Sequence, residues 1–278
     1  RCNPVDVTNV LAAVARARGV RFFTGTSVTG ILTTRGRATG VETTRGPIKC
    51  EFVVNCAGMW APQIGCLAGV AVPLQAAEHY YLVSEAIAGV HPKLPILRDP
   101  GRAAYMREEA GKLMVGLCEP VGKPWAIDGV PADFSFGEIP PDWDRVAPYL
   151  EPAMARVPAL LSAGIRLLFC GPESFTPDHN YLIGRAPNLD RFFVAAGFNS
   201  LGILSAGGAG RVIAEWIVDG QPSMDVWSVD LRRMHAWQSN RRYLRDRTVE
   251  SLGIGYADHW PQRQWSTARD VRRSPLHE

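Results

Sequence analysis

Residues 192–220 read FFVAAGFNSLGILSAGGAGRVIAEWIVDG, and this stretch decides the fold that the sequence predicts. It begins with apolar and small residues, 192–196, that predict a short buried strand. A loop rich in small residues follows, and from Val212 onward apolar residues recur at helical spacing. Gly220, with Pro222 behind it, marks the end of the helix. The stretch therefore predicts a strand, a loop and a helix in succession.

This order of elements is typical of a backbone segment that approaches a nucleotide or a flavin. Gly207, Gly208 and Gly210 remove side chains where a bulky ligand would approach, and the N–H groups at a helix start favour negative charge. The same pattern also fits a tightly packed turn between strand and helix that binds no ligand. Glycine spacing alone leaves both interpretations open.

Size and composition exclude several classes of protein. The 278 residues, 46% of them hydrophobic, suffice for one large domain or two interleaved ones. A net charge of +3 gives no nucleic-acid signal, and no apolar run is long enough to span a membrane. The six cysteines are scattered without a CxxC spacing, which indicates reduced thiols in a reducing compartment. Because the histidines also lack metal-ligand spacing, we expect no metal, no nucleic-acid partner and no membrane span.

Secondary-structure patterns divide the rest of the chain into two kinds of region. Asn3 and Pro4 begin a helix that ends near Gly19. The region up to residue 60 and the opening stretch predict a nucleotide-binding unit, and the region after Pro73 predicts an inserted antiparallel sheet with one helix. Strands are expected at 20–23, 27–33, 39–44, 48–55, 74–85, 103–108, 112–119 and 166–170, and a helix at 143–157.

Several blocks of sequence are longer and more specific than these patterns. They are FVVNCAGMWA (52–61), PLQAAEHYYLVSE (73–85), ILRDP (96–100), YMREE (105–109), KPWAIDGVPADFSFGEIPPDWDR (123–145), CGPESFTPD (170–178), FVAAGFNSLGILSAGGAGR (193–211) and ARDVRRSPLHE (268–278). Together they resemble the dimethylglycine dehydrogenase and sarcosine dehydrogenase family, flavoproteins of the D-amino-acid-oxidase type. The resemblance runs over essentially the whole chain.

The resemblance implies an α/β (α+β) fold, with a partial Rossmann-like FAD-binding domain interleaved with an antiparallel-sheet substrate domain. We expect residues 1–72 and 165–225 to form the FAD-binding domain, 73–164 the inserted substrate domain, and 226–278 a helical extension and linker. Arg269, Arg272 and Arg273 are expected to anchor that linker. The family's dinucleotide glycines would precede this segment and a folate-binding region would follow it, so tetrahydrofolate is expected only in a full-length protein.

The activity implied is FAD-dependent oxidative N-demethylation of an N-methylated glycine, either dimethylglycine or sarcosine. Hydride would pass from the N-methyl carbon to the flavin, and the electron acceptor would be oxygen or an electron-transfer flavoprotein. The compartment would be the cytoplasm in a bacterium or the mitochondrial matrix in a eukaryote. The alternative is a non-catalytic relative that acts as an interaction protein. The regulatory subunit of pyruvate dehydrogenase phosphatase resembles the same family.

The resemblance assigns the family's catalytic histidine to His79 and its active-site tyrosine to Tyr105. A histidine that titrates near neutrality could hold the amine or manage its proton, and a tyrosine hydroxyl could bind the substrate or that histidine. Taken alone, without the resemblance, the two would be interpreted as a core histidine and a core aromatic residue. Arg107, on the same strand face as Tyr105, could bind the substrate carboxylate or form a salt bridge with Glu85 or Glu109.

For the flavin, the resemblance implies contacts from three parts of the FAD-binding domain. The loop and helix start at 197–203 would lie near the pyrimidine edge of the flavin, where reduction builds negative charge. By themselves, Ala57 and Gly58 would equally mark a close helix–strand contact. The cofactor-binding candidates are Val28, Ala57, Gly58, Trp60, Gly197, Phe198, Asn199, Ser200, Leu201, Gly202 and Ile203.

Overall fold

The computed structural model describes residues 2–258, 265–267 and 276. Backbone contacts divide the chain into two compact units. The first comprises Arg1–Val72 and Tyr181–His235, and the second comprises Pro73–Asn180 and Ala236–Glu278. The sequence places domain changes after residues 72, 164 and 225, and that assignment to domains stays a prediction. The linker anchor expected at Arg269, Arg272 and Arg273 lies outside the described residues.

The chain contains both helices and strands, with runs of strands between the helices, which confirms the mixed α and β class. In chain order the elements are α1 (Pro4–Ala17), β1 (Val28–Thr34), β2 (Arg37–Thr43), β3 (Ile48–Lys49), β4 (Val53–Asn55), α2 (Ala61–Leu67), β5 (Gln75–Ser84), β6 (Leu97–Asp99), β7 (Ala104–Glu109), β8 (Lys112–Leu117), β9 (Lys123–Pro124), α3 (Trp143–Met154), β10 (Ile165–Phe175), β11 (Leu182–Arg185), β12 (Phe192–Ala196), α4 (Gly202–Asp219) and α5 (Arg241–Ile254).

Two small sheets and helix α4 organise the first unit. Strands β1, β2 and β3 form an antiparallel meander. Strand β12 lies between β11 and β4, antiparallel to β11 and parallel to β4. Helix α4 packs on this second sheet, with Val212 and Trp216 buried against Phe193. It ends at Gly220, whose φ of 78° is the left-handed conformation that glycine supplies at helix ends.

The N-terminal region of this unit agrees with the sequence in one place and differs in another. Helix α1 starts at Pro4 with Asn3 as its cap, as predicted. The strand predicted at 20–23 is wrong, because these residues join no sheet within the part of the chain that is described. Phe22 instead lies under the guanidinium of Arg16, which is 4.3 Å from the ring centroid. An apolar run can suggest a strand, but it does not supply the neighbouring strand that would pair with it.

A six-stranded antiparallel sheet forms the centre of the second unit. Its order is β10–β5–β8–β7–β6, with β9 also paired to β5. Strand β10 pairs with β5 along its length, from Ile165 opposite Ser84 to Phe175 opposite Gln75. Helix α3 begins at a capping residue, Asp142, whose side chain accepts a hydrogen bond from the backbone N–H of the third helical residue.

One face of this sheet, the core face, is apolar and packs against α3. Alternate residues of β5, such as Tyr80 and Leu82, point into it. Full burial of an aliphatic side chain such as that of Leu82 stabilises the fold by about 1.5–3 kcal/mol relative to leaving it exposed. The buried cluster comprises Tyr80, Leu82, Ala104, Met106, Leu113, Val115, Leu117, Ile139, Val146, Leu150, Ala153, Leu160, Leu168 and Cys170.

The opposite face, the cavity face, carries His79 of β5 and Tyr105 of β7. Helix α5 covers one end of this face, where Leu252 packs against two residues of the sheet, Ala77 and Phe175. The remainder of the face is lined by polar and aromatic side chains around a cavity. Strand alternation thus separates a stabilising surface from a surface that can bind a ligand.

Candidate functional site

The cavity on the cavity face has a volume of about 250 Å³. Strand register brings its walls together, because Tyr105 of β7 lies opposite Gly116 of β8, and Gly116 lies opposite Tyr81 of β5. His79 and Tyr105, the predicted catalytic residues, therefore share one cavity, although their roles stay predictions. The lining residues on this face are His79, Tyr81, Tyr105, Gly137, Phe169, Gly171, Pro172 and Glu173. Tyr80, between His79 and Tyr81 in the chain, also borders the cavity, although its side chain belongs to the buried cluster of the core face.

His79 is held at both ring nitrogens. Its Nε2 lies 2.7 Å from the carbonyl oxygen of Leu117, and its Nδ1 lies 2.8 Å from Oε2 of Glu173. A carbonyl oxygen can only accept, so Nε2 carries a hydrogen and donates it. The hydrogen bond to the backbone therefore fixes the ring orientation and aims Nδ1 at the carboxylate of Glu173.

The charge state of His79 follows from these partners. Burial by itself lowers the pKa of His79, but hydrogen bonds with the Cys118 side chain and Glu173, and the charges of Glu173 and Glu119, raise it well above its usual range. The favoured state is an imidazolium that donates from both nitrogens and pairs with the Glu173 carboxylate. In that state the ring has no lone pair with which to accept a proton.

Tyr105 owes its position to a glycine. A Cβ atom placed on Gly116 would lie 2.1 Å from Cε1 and Cζ of the Tyr105 ring, so only glycine leaves room for the ring across β8. Burial raises the pKa of Tyr105, and the nearby charge of His79 opposes that rise only in part. The hydroxyl is therefore neutral near pH 7 and can both donate and accept a hydrogen bond.

An aromatic wall completes the cavity. The rings of Tyr81 and Phe169 stack with their centroids 4.7 Å apart and their planes at 23°. Gly171 lies next to this pair on β10, and a Cβ there would approach Cε1 of Phe169 to 2.7 Å. The missing side chain thus leaves space for the Phe169 ring at the cavity.

Arg107 lies two residues after Tyr105 on β7, and its guanidinium forms an ion pair with Glu109. It is not among the residues that line the cavity. The structure thus forms one of the two salt bridges that the sequence left open as alternatives. A role for Arg107 in binding the substrate carboxylate stays a prediction.

A buried carboxyl group, Glu119, follows β8. Its residue is fully buried, and within the described residues neither side-chain oxygen has a hydrogen-bond partner. Burial raises the pKa of Glu119, while the charges of His79 and Arg145 oppose the rise. Neither Glu119 nor Glu173 was a candidate from the sequence, because an isolated glutamate in a strand pattern carries no signal of its neighbours across a sheet.

In the first unit, the candidate flavin-binding residues follow two neighbouring parallel strands. Strand β4 leads to Ala57 and Gly58, and β12 leads to Gly197. Because β4 and β12 are paired in parallel, their carboxyl ends meet at the same edge of the sheet. In α/β proteins, ligands bind at the carboxyl ends of parallel strands. Trp60 ends the short helical turn that begins at Gly58.

The loop after β12 has an unusual backbone. Gly197, Asn199 and Ser200 have φ angles of 67°, 49° and 67°, in the left-handed region that residues other than glycine rarely adopt. Asn199 is buried, and its side-chain amide donates to the carbonyl oxygen of Gly197 at 2.8 Å. Strain of this kind is held where the surroundings require one loop shape. The loop is therefore built to present its backbone in a single conformation.

Helix α4 starts at Gly202, and no side chain caps its first turn. The apolar side chains of Leu201, Ile203 and Leu204 are 40%, 47% and 82% exposed next to that helix start. The N–H groups of this first turn have no side-chain cap, and N–H groups at a helix N-terminus favour a negatively charged ligand group.

Two details concern the other candidates in this unit. Gly207, Gly208 and Gly210 belong to α4 itself rather than to a loop, and a Cβ atom on any of them would meet no atom within 4 Å. They leave open space along the helix. Val28, at the start of β1, belongs to the separate meander sheet and is half-buried.

The described residues carry neither a metal-binding cluster nor a helix that could span a membrane. Residues 2–258, 265–267 and 276 contain no group of three or more His, Cys, Asp or Glu side chains that could hold a metal ion. In that same part of the chain, no helix combines the length and the apolar character needed to cross a bilayer.

Comparison with known proteins places the chain among flavoenzymes. Residues 1–216 match the family described as FAD dependent oxidoreductase, and residues 219–274 match the family described as FAD dependent oxidoreductase central domain. The fold is similar to that of L-proline dehydrogenase from P. horikoshii, with a TM-score of 0.72 and 25% identity. That match covers 84% of this chain and 60% of the solved one.

Three curated relatives cover nearly the whole chain. The 4-methylaminobutanoate oxidase (formaldehyde-forming) of Paenarthrobacter nicotinovorans is 43% identical over 275 residues, 99% of this chain and 33% of its own. Mitochondrial sarcosine dehydrogenase of Mus musculus is 40% identical over 282 residues, 99% of this chain and 30% of its own. The mitochondrial pyruvate dehydrogenase phosphatase regulatory subunit of Mus musculus is 37% identical over 276 residues, which are 98% of this chain and 31% of its own.

These matches confirm the resemblance on which the sequence interpretation rests, and with it FAD as the family's cofactor. The chain spans about a third of the length of the curated relatives that it matches. The match to the first of these families covers more than half of this chain, and the chain therefore belongs to the FAD-dependent oxidoreductase family.

Proposed function

We propose that the protein that contains this chain oxidises an N-methylated amino acid by FAD-dependent N-demethylation. The observation that carries the proposal is the shared cavity of His79 and Tyr105, in a chain whose relatives include a sarcosine dehydrogenase and a 4-methylaminobutanoate oxidase. Sarcosine and dimethylglycine are the substrates to test first. Oxygen or an electron-transfer flavoprotein would accept the electrons.

The first unit fits FAD. Ala57, Gly58 and Gly197 follow the ends of two parallel strands, and a Cβ at Gly58 would meet no atom within 4 Å. The uncapped start of α4 suits the negative charge of a reduced flavin ring. Residues 197–203 with Ala57, Gly58, Trp60 and Val28 would hold the group. When bound, FAD supplies the oxidant, accepting a hydride from the N-methyl carbon.

The second unit supplies the groups that position an amine. The neutral hydroxyl of Tyr105 can bind the amine nitrogen or the substrate carboxylate. Oxidation requires the neutral amine, so one proton must leave the substrate. The His79–Glu173 pair lies in the cavity, and it can take that proton once it has released one of its own to the solvent. The resulting iminium ion is hydrolysed to formaldehyde, or it is trapped by tetrahydrofolate where a folate region is present.

The test of the activity is anaerobic stopped-flow reduction of the native holoenzyme by sarcosine and by dimethylglycine. His79→Gln should slow flavin reduction by about 100- to 10,000-fold, the usual range for an acid–base residue, with FAD still bound. His91→Gln, at an exposed position of the same unit, is the matched control and should reduce at the native rate. A native rate in His79→Gln would remove His79 from the reaction.

The flavin site has its own test. In the chain alone, a Cβ on Gly202 would meet only Cβ of Phe198, at 3.8 Å, which is ordinary contact. Gly202→Val should therefore weaken FAD binding more than it lowers the melting temperature of the apoprotein. Unchanged FAD affinity, with equal losses of melting temperature in apo and holo forms, would show that Gly202 serves packing alone.

A second candidate function is that of a regulatory or interaction subunit. It is favoured by the relative at 37% identity that is named a pyruvate dehydrogenase phosphatase regulatory subunit. The two functions separate in one measurement. If the native flavin is reduced by neither sarcosine, dimethylglycine nor 4-methylaminobutanoate, the interaction function is favoured over the enzyme.

A further inference from the structure

The charges that line the cavity are arranged as a dipole. Among the lining residues of the described chain, Glu173 is the acidic one and His79 the basic one. They lie 2.8 Å apart, but their exposure differs: the Glu173 side chain is 38% exposed and the His79 side chain 11%. Both ring nitrogens of His79 already have acceptors, so its charge acts over a distance rather than through a further hydrogen bond.

We propose that Glu173 is the residue that recognises the substrate ammonium group, and that the stacked rings of Tyr81 and Phe169 recognise its N-methyl substituents. This inference rests on the proposed function and names the ligand class of the same cavity. The ligand is a zwitterion with a methylated ammonium at one end and a carboxylate at the other.

The chemistry of Glu173 supports this role. The Glu173 carboxylate pairs with Nδ1 of His79, and 38% of the Glu173 side chain is exposed, so a cationic ligand can reach it. Its register partner on β5 is Ala77, a small residue. A partly exposed carboxylate in an aromatic-lined cavity attracts a cation more strongly than it would in bulk water, because the local dielectric constant is lower.

The aromatic wall adds selectivity for methylated cations. The faces of aromatic rings carry negative charge density, and clusters of such rings bind methylated ammonium groups. The paired residues Tyr81 and Phe169 lie two residues along the strands from the paired residues His79 and Gly171, on the same face of the sheet. A methylated ammonium loses less hydration on entering such a cavity than a primary ammonium, because it has fewer N–H groups to desolvate.

The dipole also sets the direction in which the zwitterion binds. Its ammonium end is attracted by Glu173 and repelled by the imidazolium of His79, while its carboxylate end is attracted by His79 and can accept a hydrogen bond from Tyr105. Opposite charges therefore align an amino acid along the cavity, whereas a neutral molecule of the same shape gains nothing from this alignment.

A pair of ligands that differ only in charge tests the proposal. Trimethylglycine has a quaternary nitrogen, and 3,3-dimethylbutanoate has a carbon atom in its place with the same shape. Isothermal titration calorimetry on the native holoenzyme should show tighter binding of trimethylglycine. In Glu173→Gln, the Kd for trimethylglycine should rise at least about 10-fold and the Kd for 3,3-dimethylbutanoate should stay within about 3-fold.

Three further variants sharpen the result. Glu173→Asp retains the charge and should keep the preference for trimethylglycine. Phe169→Leu should raise the Kd for trimethylglycine by about 2- to 30-fold, the range of a cation–π contact. The Kd for 3,3-dimethylbutanoate should stay within about 3-fold. Glu151→Gln removes an exposed carboxylate from α3, the helix that packs on the core face, and should leave both affinities unchanged.

The proposal is overturned if Glu173→Gln keeps the native ratio of the two affinities, or if the native protein shows no preference for the cation. Neither measurement requires turnover. Reduction of the native flavin by sarcosine with an unchanged ratio in Glu173→Gln would leave the proposed function standing and remove this inference. If instead the preference for the cation depends on Glu173 but no N-methyl amino acid reduces the flavin, the binding role of Glu173 stands and the proposed function is removed.

Discussion

The two faces of the six-stranded sheet use the same strands in different ways. On the core face, Tyr80 and Leu82 of β5 are 1% and 0% exposed and pack among apolar side chains. On the cavity face, one residue away in sequence, His79 and Tyr81 are only partly buried and border a cavity. Two-residue alternation along one strand therefore supplies both a stabilising surface and a surface that can bind a ligand.

Polar groups show the same difference. On the core face the buried carboxylate of Glu78 accepts a hydrogen bond from the Tyr80 hydroxyl and pairs with Nζ of Lys123 at 2.9 Å. On the cavity face the carboxylate of Glu173 pairs with His79 yet keeps 38% of its side chain exposed. Glu78 is buried, and its hydrogen bonds are made within the fold. Glu173 is partly exposed, so a ligand in the cavity can reach its carboxylate.

The largest effect is expected on the core face. Leu82→Ala should lower the free energy of unfolding by about 2–5 kcal/mol, because it removes buried methyl groups and leaves a void. Urea denaturation measures the loss. The matched variant one residue away is Tyr81→Phe, which should change the stability by less than about 1 kcal/mol. Similar losses in the two variants would contradict the division into faces.

A glycine tests how the cavity face is held. Gly116→Val should lower the free energy of unfolding by about 1–3 kcal/mol, because the new side chain occupies the position of the Tyr105 ring. The displaced tyrosine should also slow flavin reduction in the native holoenzyme. Gly208→Ala is the control. A Cβ atom at this position would meet no atom within 4 Å, so the free energy of unfolding of this variant should not fall. Full stability in Gly116→Val would show that Tyr105 does not need this space.

A smaller effect is expected within the aromatic wall. Stacking between Tyr81 and Phe169 should contribute a coupling energy of about 0.5–1.5 kcal/mol beyond the area that each ring buries. A double-mutant cycle with Tyr81→Leu, Phe169→Leu and the double variant isolates this coupling. Additive losses in urea denaturation would mean that the two rings act independently, and the wall would then be a mere lining.

Local patterns in the sequence predicted the elements that carry these faces. The strand expected at 74–85 is β5, in which His79 points to one side and its neighbours Glu78 and Tyr80 to the other. The helix expected at 143–157 is α3, and the strand, loop and helix of 192–220 are β12, its loop and α4. These features depend on residues close together in the chain, where periodicity and capping act directly.

The rest could not be predicted, because it depends on strand register. Glu173 meets His79 only because β10 pairs with β5 with Gly171 opposite His79, a pairing between residues 92 positions apart in sequence number. Gly116 matters only because it lies opposite Tyr105 on the neighbouring strand. A sequence pattern says which face a side chain points to, but it does not say which strand lies beside it. The role of Glu173 was invisible for that reason.

The smallest effect links the cavity face to pH. Because the pKa of His79 is raised in the folded chain, the folded state retains the proton at pH values where the unfolded state has lost it. The contribution of His79 to stability is therefore complete below its unfolded pKa of about 6.5 and is lost as pH rises through the folded pKa. His179, whose pKa burial lowers, has the opposite sign: its contribution is lost as pH falls below about 6.5.

Two variants separate these contributions. The difference in unfolding free energy between the native chain and His79→Gln should shrink as pH rises from 6.5, and the difference for His179→Gln should shrink as pH falls from 6.5. Urea denaturation across this range measures both. The two contributions to the pH slope cancel only close to pH 6.5. Above that pH the His79 contribution makes stability fall as pH rises, and below it the His179 contribution makes stability fall as pH drops. If the His79→Gln difference instead grew with pH, His79 would be neutral in the fold, and the cavity face would carry no dipole for a zwitterion.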